Sequence, residues 1–307
     1  MKKVFLALLL AFLFFGCIQL PGTINKEKID SISNVTKEIS ETITVEEKCS
    51  PSYSVVIPQK AKLGDLGTVK VKADCADGAT IAVYFDGVKI DEKKVSGKSD
   101  ELIFNLNFRQ DGTKTVEVIA NGSLIKKDNI IVDLLGNNET SGSKNDGFSV
   151  KEYIASGFEI KSDIEVRSIG IYVKRLYSNT LKNSYVVVEI RKDDNGVPAS
   201  SSVAATYLPI EKIMMNEKWV WFNFKDSVRL APSTYWVVLR VDQENPNIVS
   251  DVANIHYIGD NPDKPASGLV KRMVLKWNDQ KQKYEETIWE PAAYDRIYNI
   301  LLSSENH

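Results

Sequence analysis

Histidine and cysteine are scarce in this sequence, which has two histidines and three cysteines among 307 residues. Too few ligands remain for a His–Cys zinc cluster, and the H-E-x-x-H pattern of zinc proteases is absent. A Ser-His-Asp triad would have to use His256, which lies in a predicted strand, and no G-x-S-x-G motif supplies a nucleophile. A P-loop and a dinucleotide-binding fingerprint are missing as well. We therefore predict no enzymatic activity, no cofactor and no metal site.

The sequence also lacks an excess of positive charge, with 39 Lys and Arg against 41 Asp and Glu. A nucleic-acid backbone would find nothing to bind by charge alone, so we exclude nucleic acid as a partner. Long helix-type patterns are scarce too, whereas the abundant Val and Ile and the 5 Trp, 12 Tyr and 11 Phe favour strands. The length suffices for two domains with cores of their own, and we predict an all-β protein.

The chain begins with a pattern that is typical of exported proteins. Two lysines precede the twelve apolar residues Val4–Phe15, a run of the length of a secretory h-region and too short to span a bilayer comfortably. Gly16 supplies the small residue beside a cleavage site, and the Cys17 thiol that follows can carry a diacylglyceryl group. The stretch resembles a prokaryotic lipobox. The resemblance implies a signal peptide over residues 1–16 and a lipid on Cys17 that anchors the protein on the outside of the cell membrane.

The lipobox match is partial, because Phe14 and Phe15 stand where leucine and a small residue are usual. The alternative interpretation is an uncleaved signal anchor from Val4 to Leu20, which would leave Cys17 as a plain thiol. Under both interpretations the rest of the chain lies outside the cytosol.

The cysteine count agrees with lipidation of Cys17, since three cysteines in an exported protein otherwise leave one odd thiol. Cys49 and Cys75 then remain, 26 residues apart. A disulfide between them would stabilise the fold by roughly 3 kcal/mol in a compartment that permits oxidation. The alternative is that both are buried free thiols.

Residues 17–48 are predicted to form a stalk. Their apolar residues are spaced by three or four positions, which draws one stripe down a short helix; they are Ile29, Ile32, Val35, Ile39 and Ile43. The stripe could mediate self-association or docking, or the helix could fray, because β-branched residues are mediocre helix formers.

Residues 49–135 are predicted to form an immunoglobulin-like β-sandwich. Six short runs have strand character: Tyr53–Ile57, Thr68–Ala73, Thr80–Phe85, Leu102–Phe108, Lys114–Ala120 and Ile130–Leu134. Asp86-Gly87 and Asn121-Gly122 predict two-residue hairpin turns, and Asp111-Gly112 predicts another tight turn. The stretch resembles the Ig-like modules common in archaeal and bacterial surface proteins, and we expect an archaeal source.

Residues 136–147 contain no apolar residue and are rich in Gly, Ser and Asn, which predicts a flexible linker. Three sequons lie in the exported part, at Asn34 in the stalk, Asn121 in a hairpin turn and Asn138 in the linker. Each is a candidate for glycosylation where the organism has the machinery.

Residues 148–307 are predicted to form a larger jelly-roll sandwich of eight or nine strands. Several stretches in sequence resemble the β-sandwich choice-of-anchor domains of prokaryotic surface proteins, which are related in shape to galactose-binding-like jelly rolls: Gly157-Phe158, Ile169–Val173, Val186–Arg191, Asp194–Pro198, Trp219–Phe224, Val228–Leu230, Thr234–Arg240 and Tyr294–Tyr298. The resemblance implies an accessory or display domain, and it carries no catalytic residues. Trp219 and Trp221 point to one face of a strand, and we interpret Trp219 and Trp236 as residues of the sandwich core.

A ligand site is predicted between Ile255 and Pro291, where strand alternation weakens and aromatic residues stand among acids and amides. Such a mixture suits a glycan, because aromatic faces pack on sugar rings while carboxylates and amides take the hydroxyl groups. The candidate residues are Tyr257, Asp260, Asp263, Trp277, Tyr284 and Trp289. The alternative is that a hairpin from Leu269 to Glu286 buries Trp277 and Tyr284 in the sandwich.

The leading functional expectation is a non-enzymatic surface lipoprotein that displays a β-sandwich for binding a glycan or an envelope component. A structural envelope protein that binds another surface protein is the first alternative. A glycan hydrolase using Glu290 or Asp295 is the second, since acidic pairs cannot be recognised from sequence alone. The Asp193-Asp194-Asn195 turn offers oxygen ligands for calcium but lacks an EF-hand pattern.

Overall fold

The computed structural model describes residues 49–138, 140, 144–175, 184–243, 253–259, 270–281, 283–291 and 296–307. Within this part of the chain, Ser50–His307 form one compact unit. The predicted leader, Cys17, the stalk, Asn34, Asp260, Asp263 and Asp295 lie outside the described residues. Cys49 and Cys75 are disulfide-bonded, which confirms that prediction.

Strands dominate the described residues, so the all-β prediction is confirmed. The first sandwich contains β1 (Ser52–Val56), β2 (Lys60–Lys62), β3 (Leu66–Asp74), β4 (Thr80–Phe85), β5 (Val88–Lys94), β6 (Ser99–Asn107), β7 (Gly112–Ala120) and β8 (Ser123–Asp133). The second contains β9 (Leu135–Gly136), β10 (Lys144–Phe148), β11 (Glu152–Ile160), β12 (Ile164–Arg175), β13 (Ser184–Asp194), β14 (Val197–Pro209), a 3₁₀ turn (Ile210–Lys212), β15 (Lys218–Leu230), β16 (Ser233–Gln243), β17 (Ala253–Gly259), β18 (Val270–Val274), β19 (Lys276–Asn278), β20 (Lys283–Glu285), β21 (Glu290–Pro291), β22 (Arg296–Tyr298) and β23 (Ile300–Ser303).

The first sandwich has an immunoglobulin-like strand order. A three-stranded sheet runs β1-β3-β6, and a five-stranded sheet runs β2-β8-β7-β4-β5. The entering chain contributes to both sheets, because β1 pairs antiparallel with β3 and β2 then pairs parallel with β8. Alternate residues of β3, β6 and β7 face inward, among them Val69, Phe104 and Val116, which are fully buried. The Ig-like prediction for this half is therefore confirmed.

The hairpin turns follow the sequence prediction. Both residues of Asp86-Gly87 and of Asn121-Gly122 have positive φ (49° and 77°, 47° and 79°), as a type I′ turn requires. The Asp111-Gly112 prediction needs correction. These residues connect β6 to β7, which belong to different sheets, and the carboxylate of Asp111 is buried.

The second sandwich packs a seven-stranded sheet against a six-stranded sheet. The first runs β10-β17-β12-β23-β9, with β15 on the other side of β12 and β22 beside β17. The second runs β14-β13-β16-β11-β18-β21. Their inner faces share one core, which includes Ile169, Ile171, Val188, Phe222 and Leu239. Both ends of the predicted linker, residues 136–147, belong to strands, since Gly136 lies in β9 and Lys144 begins β10.

The two sandwiches are joined by buried contacts. Leu63 of the first sandwich lies in the core of the second. The Ser162 hydroxyl donates to the carbonyl oxygen of Gly64 over 2.9 Å. Asp111 accepts hydrogen bonds from the hydroxyl groups of Ser303 and Ser304, over 3.0 and 2.7 Å. A core residue and satisfied polar groups at the joint hold the two sandwiches together.

Candidate functional site

A row of aromatic side chains lies on the outer face of the seven-stranded sheet. Along β15, Val220 and Phe222 face the core, so Trp219 and Trp221 face outward. The core interpretation of Trp219 is therefore wrong: its indole is half-buried on the outer surface of the sandwich. Tyr172 of β12 lies opposite Trp219 in the strand register. Tyr172, Trp219 and Trp221 are called the aromatic row below.

The rings of the aromatic row form a continuous surface. The ring centroids of Tyr172 and Trp219 are 5.6 Å apart. Those of Trp219 and Trp221 are 6.4 Å apart, and the two indole planes differ by only 25°. All three residues are half-buried, so the aromatic row lies at the surface of the sandwich.

Trp221 lies on the backbone of β12. Gly170 is its cross-strand partner, and a Cβ atom added to Gly170 would stand 2.8 to 2.9 Å from three atoms of the six-membered indole ring. Real Cβ atoms do not approach other atoms so closely. The absence of a side chain at Gly170 therefore lets the indole rest against the sheet, as glycine in a strand often permits a close approach.

Polar groups flank the aromatic row at both ends. Beyond Tyr172, the Lys174 ammonium donates to Glu217 over 2.6 Å. Beyond Trp221, Asn223 exchanges two hydrogen bonds with the backbone of His307: its amide donates to the carbonyl oxygen over 2.8 Å, and its Oδ1 accepts from the N–H over 3.2 Å. The imidazole of His307 stacks on Trp221 with a centroid distance of 3.9 Å. The site thus combines exposed aromatic faces with donors and acceptors at its margins.

The sequence-predicted ligand residues lie elsewhere. Trp289 is half-buried against Ala155, Trp236 and Val238, on the outer face of the six-stranded sheet. Trp277 and Tyr284 are cross-strand partners in the β19–β20 hairpin, whose backbone follows the predicted hairpin. Tyr257 lies on β17 of the seven-stranded sheet. The structure thus places these residues on separate parts of the second sandwich.

Trp236 is fully buried, but, like Trp219, it lies outside the core between the two sheets of the second sandwich. Its strand alternation directs it to the outer face of the six-stranded sheet, where Trp289 packs beside it. The indole N–H donates to Asp193 over 2.8 Å, and the other oxygen of that carboxylate accepts from the Gly196 N–H over 3.1 Å. Both carboxylate oxygens of Asp193 therefore accept hydrogen bonds within the protein. This acid belongs to the Asp193-Asp194-Asn195 turn, whose sequence offers oxygen ligands for calcium.

A buried charge cluster holds the chain around Glu286 on the same face. Arg191 donates to Glu189 over 2.7 Å and to both oxygens of Glu286, over 3.0 and 3.3 Å. Burial opposes the charge on Arg191, but the bonds to Glu286 and Glu189 outweigh it and raise the pKa of the guanidinium. Arg240 donates to the second oxygen of Glu189 over 2.9 Å. Both oxygens of Glu189 are thus occupied by guanidinium groups, which suits a structural carboxylate better than a catalytic acid or base.

A groove of about 480 Å³ lies beside the joint of the two sandwiches. It is lined by Ile90, Asn105, Arg109 and Lys114 of the first sandwich and by Glu165 of the second. Lys114 forms an ion pair with Asp86 over 3.6 Å, so part of its charge is already compensated. The groove offers few stacking surfaces, and the aromatic row is the stronger candidate site.

Helices contribute little to the described residues, and none there is long and apolar enough to cross a membrane. In the same residues, no group of three or more His, Cys, Asp or Glu side chains is placed to hold a metal ion.

No family model matches the sequence, and no curated protein does.

Several solved structures share a general likeness with the chain. A CARDB domain from Pyrococcus furiosus, solved in complex with di-metal ions, is 15% identical, with a TM-score of 0.25, over 29% of this chain and 98% of its own. A carbohydrate-binding module of the β-sandwich superfamily is 10% identical, with a TM-score of 0.21, over 68% and 96%. A protein from Corynebacterium diphtheriae described as membrane-anchored is 11% identical, with a TM-score of 0.22, over 81% and 58%. With TM-scores of 0.25 or less, the likeness carries no conclusion about fold, ligand or function.

Proposed function

We propose that the protein is a non-enzymatic, surface-displayed binding protein whose second sandwich binds a glycan through the aromatic row. The observation that carries the proposal is the placement of Trp219: a large, half-buried indole lies on the outer face of the seven-stranded sheet, in contact with Tyr172 and Trp221. Exposed aromatic groups in contact with one another mark interaction surfaces more often than isolated apolar residues do.

The chemistry of the row favours a sugar. The C–H faces of sugar rings pack on aromatic faces, and the hydroxyl groups require donors and acceptors at the rim. The Lys174–Glu217 pair and the Asn223 amide supply both kinds of group at the two ends of the row. The three rings lie side by side, so successive sugar units of one chain suit the row better than a single sugar.

The first test is a binding screen of the purified protein against a glycan array and against insoluble chitin, cellulose and mannan. The proposal expects retention of the protein on at least one of these polysaccharides without release of soluble sugar. Release of soluble sugar would instead support the hydrolase alternative. A stoichiometric protein partner recovered from solubilised membranes, together with no glycan binding, would support a structural role in the envelope.

Display outside the cell depends on the leader, and we propose that lipid on Cys17 anchors the mature chain. A lipid chain on that thiol supplies a hydrophobic attachment to the membrane. Mass spectrometry of the membrane-extracted protein is expected to show a mature chain that begins at lipid-modified Cys17. An intact Met1 and an unmodified Cys17 would establish the signal-anchor alternative.

A further inference from the structure

The two faces of the Trp221 indole are both occupied. One face lies against Gly170, where there is no room for a side chain. The imidazole of His307 covers the other face, with a centroid distance of 3.9 Å and an interplanar angle of 24°. This outward face is the one on which a ligand ring would stack.

The imidazole is held in place by the segment that carries it. The Ser168 hydroxyl donates to the carbonyl oxygen of Glu305 over 2.6 Å, and Asn223 exchanges two hydrogen bonds with the backbone of His307. The Nε2 atom of His307 also lies 3.0 Å from the Ser303 hydroxyl. These bonds involve backbone atoms or the Nε2 atom of His307, so the flat face of the imidazole can lie against Trp221.

We infer that His307 competes with the glycan for the outward face of Trp221, so the segment 303–307 regulates binding at the aromatic row. The inference rests on the proposed function and adds a regulator to the same site. With the imidazole in place, a sugar ring reaches Trp219 and Tyr172 but not the covered face of Trp221. When the imidazole leaves, the usable platform grows by one indole face.

The structure supplies a way to remove the ring and keep the segment. The bonds between Asn223 and residue 307 involve backbone atoms, so they persist in His307→Ala. His307→Phe retains a flat ring over Trp221 and serves as the matched control. Asn306→Ala changes an exposed neighbour and controls for general effects of mutation in this segment.

The test compares binding isotherms of the full chain and these variants on insoluble chitin, cellulose and mannan. His307→Ala is expected to bind roughly three- to ten-fold more tightly than the native chain, the range that one aromatic stack accounts for. His307→Phe and Asn306→Ala should bind as the native chain does. If Trp221→Ala is added to both the native chain and His307→Ala, the two should bind equally. Acrylamide should quench tryptophan fluorescence more strongly in His307→Ala than in the native chain.

Equal binding of the native chain and His307→Ala would overturn the inference and leave the proposed function intact. Weaker binding of His307→Ala would also overturn it, because the imidazole would then be a ligand contact. If neither chain bound any of the three polysaccharides, the proposed function would fail, and the regulation inferred from it would fail with it.

Discussion

Asp111 of the first sandwich and Ser304 of the second hydrogen-bond to each other in both directions. The Asp111 N–H donates to the Ser304 hydroxyl oxygen over 3.1 Å, and that hydroxyl group donates to the Asp111 carboxylate over 2.7 Å. Both residues are buried, with exposed fractions of 5% and 7%. An acid that the sequence pattern assigns to a tight turn is thus the polar centre of the joint between the sandwiches.

Asp111→Asn should therefore weaken the joint. The change removes the negative charge that three hydrogen-bond donors face, and a hydrogen bond to a charged group contributes about 2 kcal/mol to stability. We expect a comparable loss in the free energy of unfolding, measured by denaturant titration. Asp226→Asn, at an exposed position, is the control and should leave the midpoint unchanged. Equal stability of the two variants would show that the joint does not depend on Asp111.

Gly170→Ala should disturb the aromatic row. The new methyl group would lie 2.8 Å from Trp221 and would displace the indole, at a cost of about 1–3 kcal/mol in stability. Adding Trp221→Ala removes the ring that meets the methyl group, so Gly170→Ala should cost far less in that background. A double-mutant cycle of unfolding free energies measures this coupling. Additive costs would contradict the contact.

Trp289→Ala should lower stability, because Trp289 packs against fully buried Trp236. Loss of a half-buried indole is expected to cost about 2 kcal/mol, less than truncation of a fully buried aromatic side chain. A thermal melt measures the loss. An unchanged melting temperature together with weaker polysaccharide binding would instead return Trp289 to the ligand site that the sequence predicts.

The first sandwich should lose stability in acid. Three acids have pKa values below the ordinary 3.8, because each accepts a hydrogen bond. Asp74 accepts from the Ser99 hydroxyl, and Asp100 accepts from the Ser96 N–H. Asp128 accepts from the Asn129 N–H. The folded chain then binds fewer protons than the unfolded chain just below that value, so this stabilisation is present above it and is lost as the pH falls. Denaturant midpoints between about pH 5 and 2 should decline less in a variant with all three residues changed to Asn. An identical decline would show that these hydrogen bonds do not contribute.

The sequence predicts strands well where one pattern decides them. Thr80–Phe85 is predicted with the bounds of β4, because an alternating apolar run ends at Asp86-Gly87, whose residues adopt the positive φ of a type I′ turn. β5 is not predicted, because Val88–Lys94 is an exposed edge strand with charges on both faces. Charges of this kind protect an edge from pairing with other chains, and they also erase the apolar alternation.

The aromatic row could not be predicted in the same way. The spacing of Trp219 and Trp221 shows that they share a face, but both faces of β15 carry large apolar residues, so periodicity does not identify the core face. Gly170 in the middle of β12 is the signal that sequence reasoning missed. Its meaning depends on the register that sets it opposite Trp221, and strand register is a property of the folded sheet.

The central claim is that a glycan binds on the aromatic row, and the most direct measurement compares Trp219→Ala with Tyr207→Ala in binding to chitin, cellulose and mannan. Tyr207 is 65% exposed on the outer face of the six-stranded sheet, so it matches an exposed aromatic residue without belonging to the row. We predict that Trp219→Ala lowers affinity about tenfold or more, as loss of a central binding residue does. Tyr207→Ala should bind as the native chain does. Undiminished binding by Trp219→Ala would contradict the account.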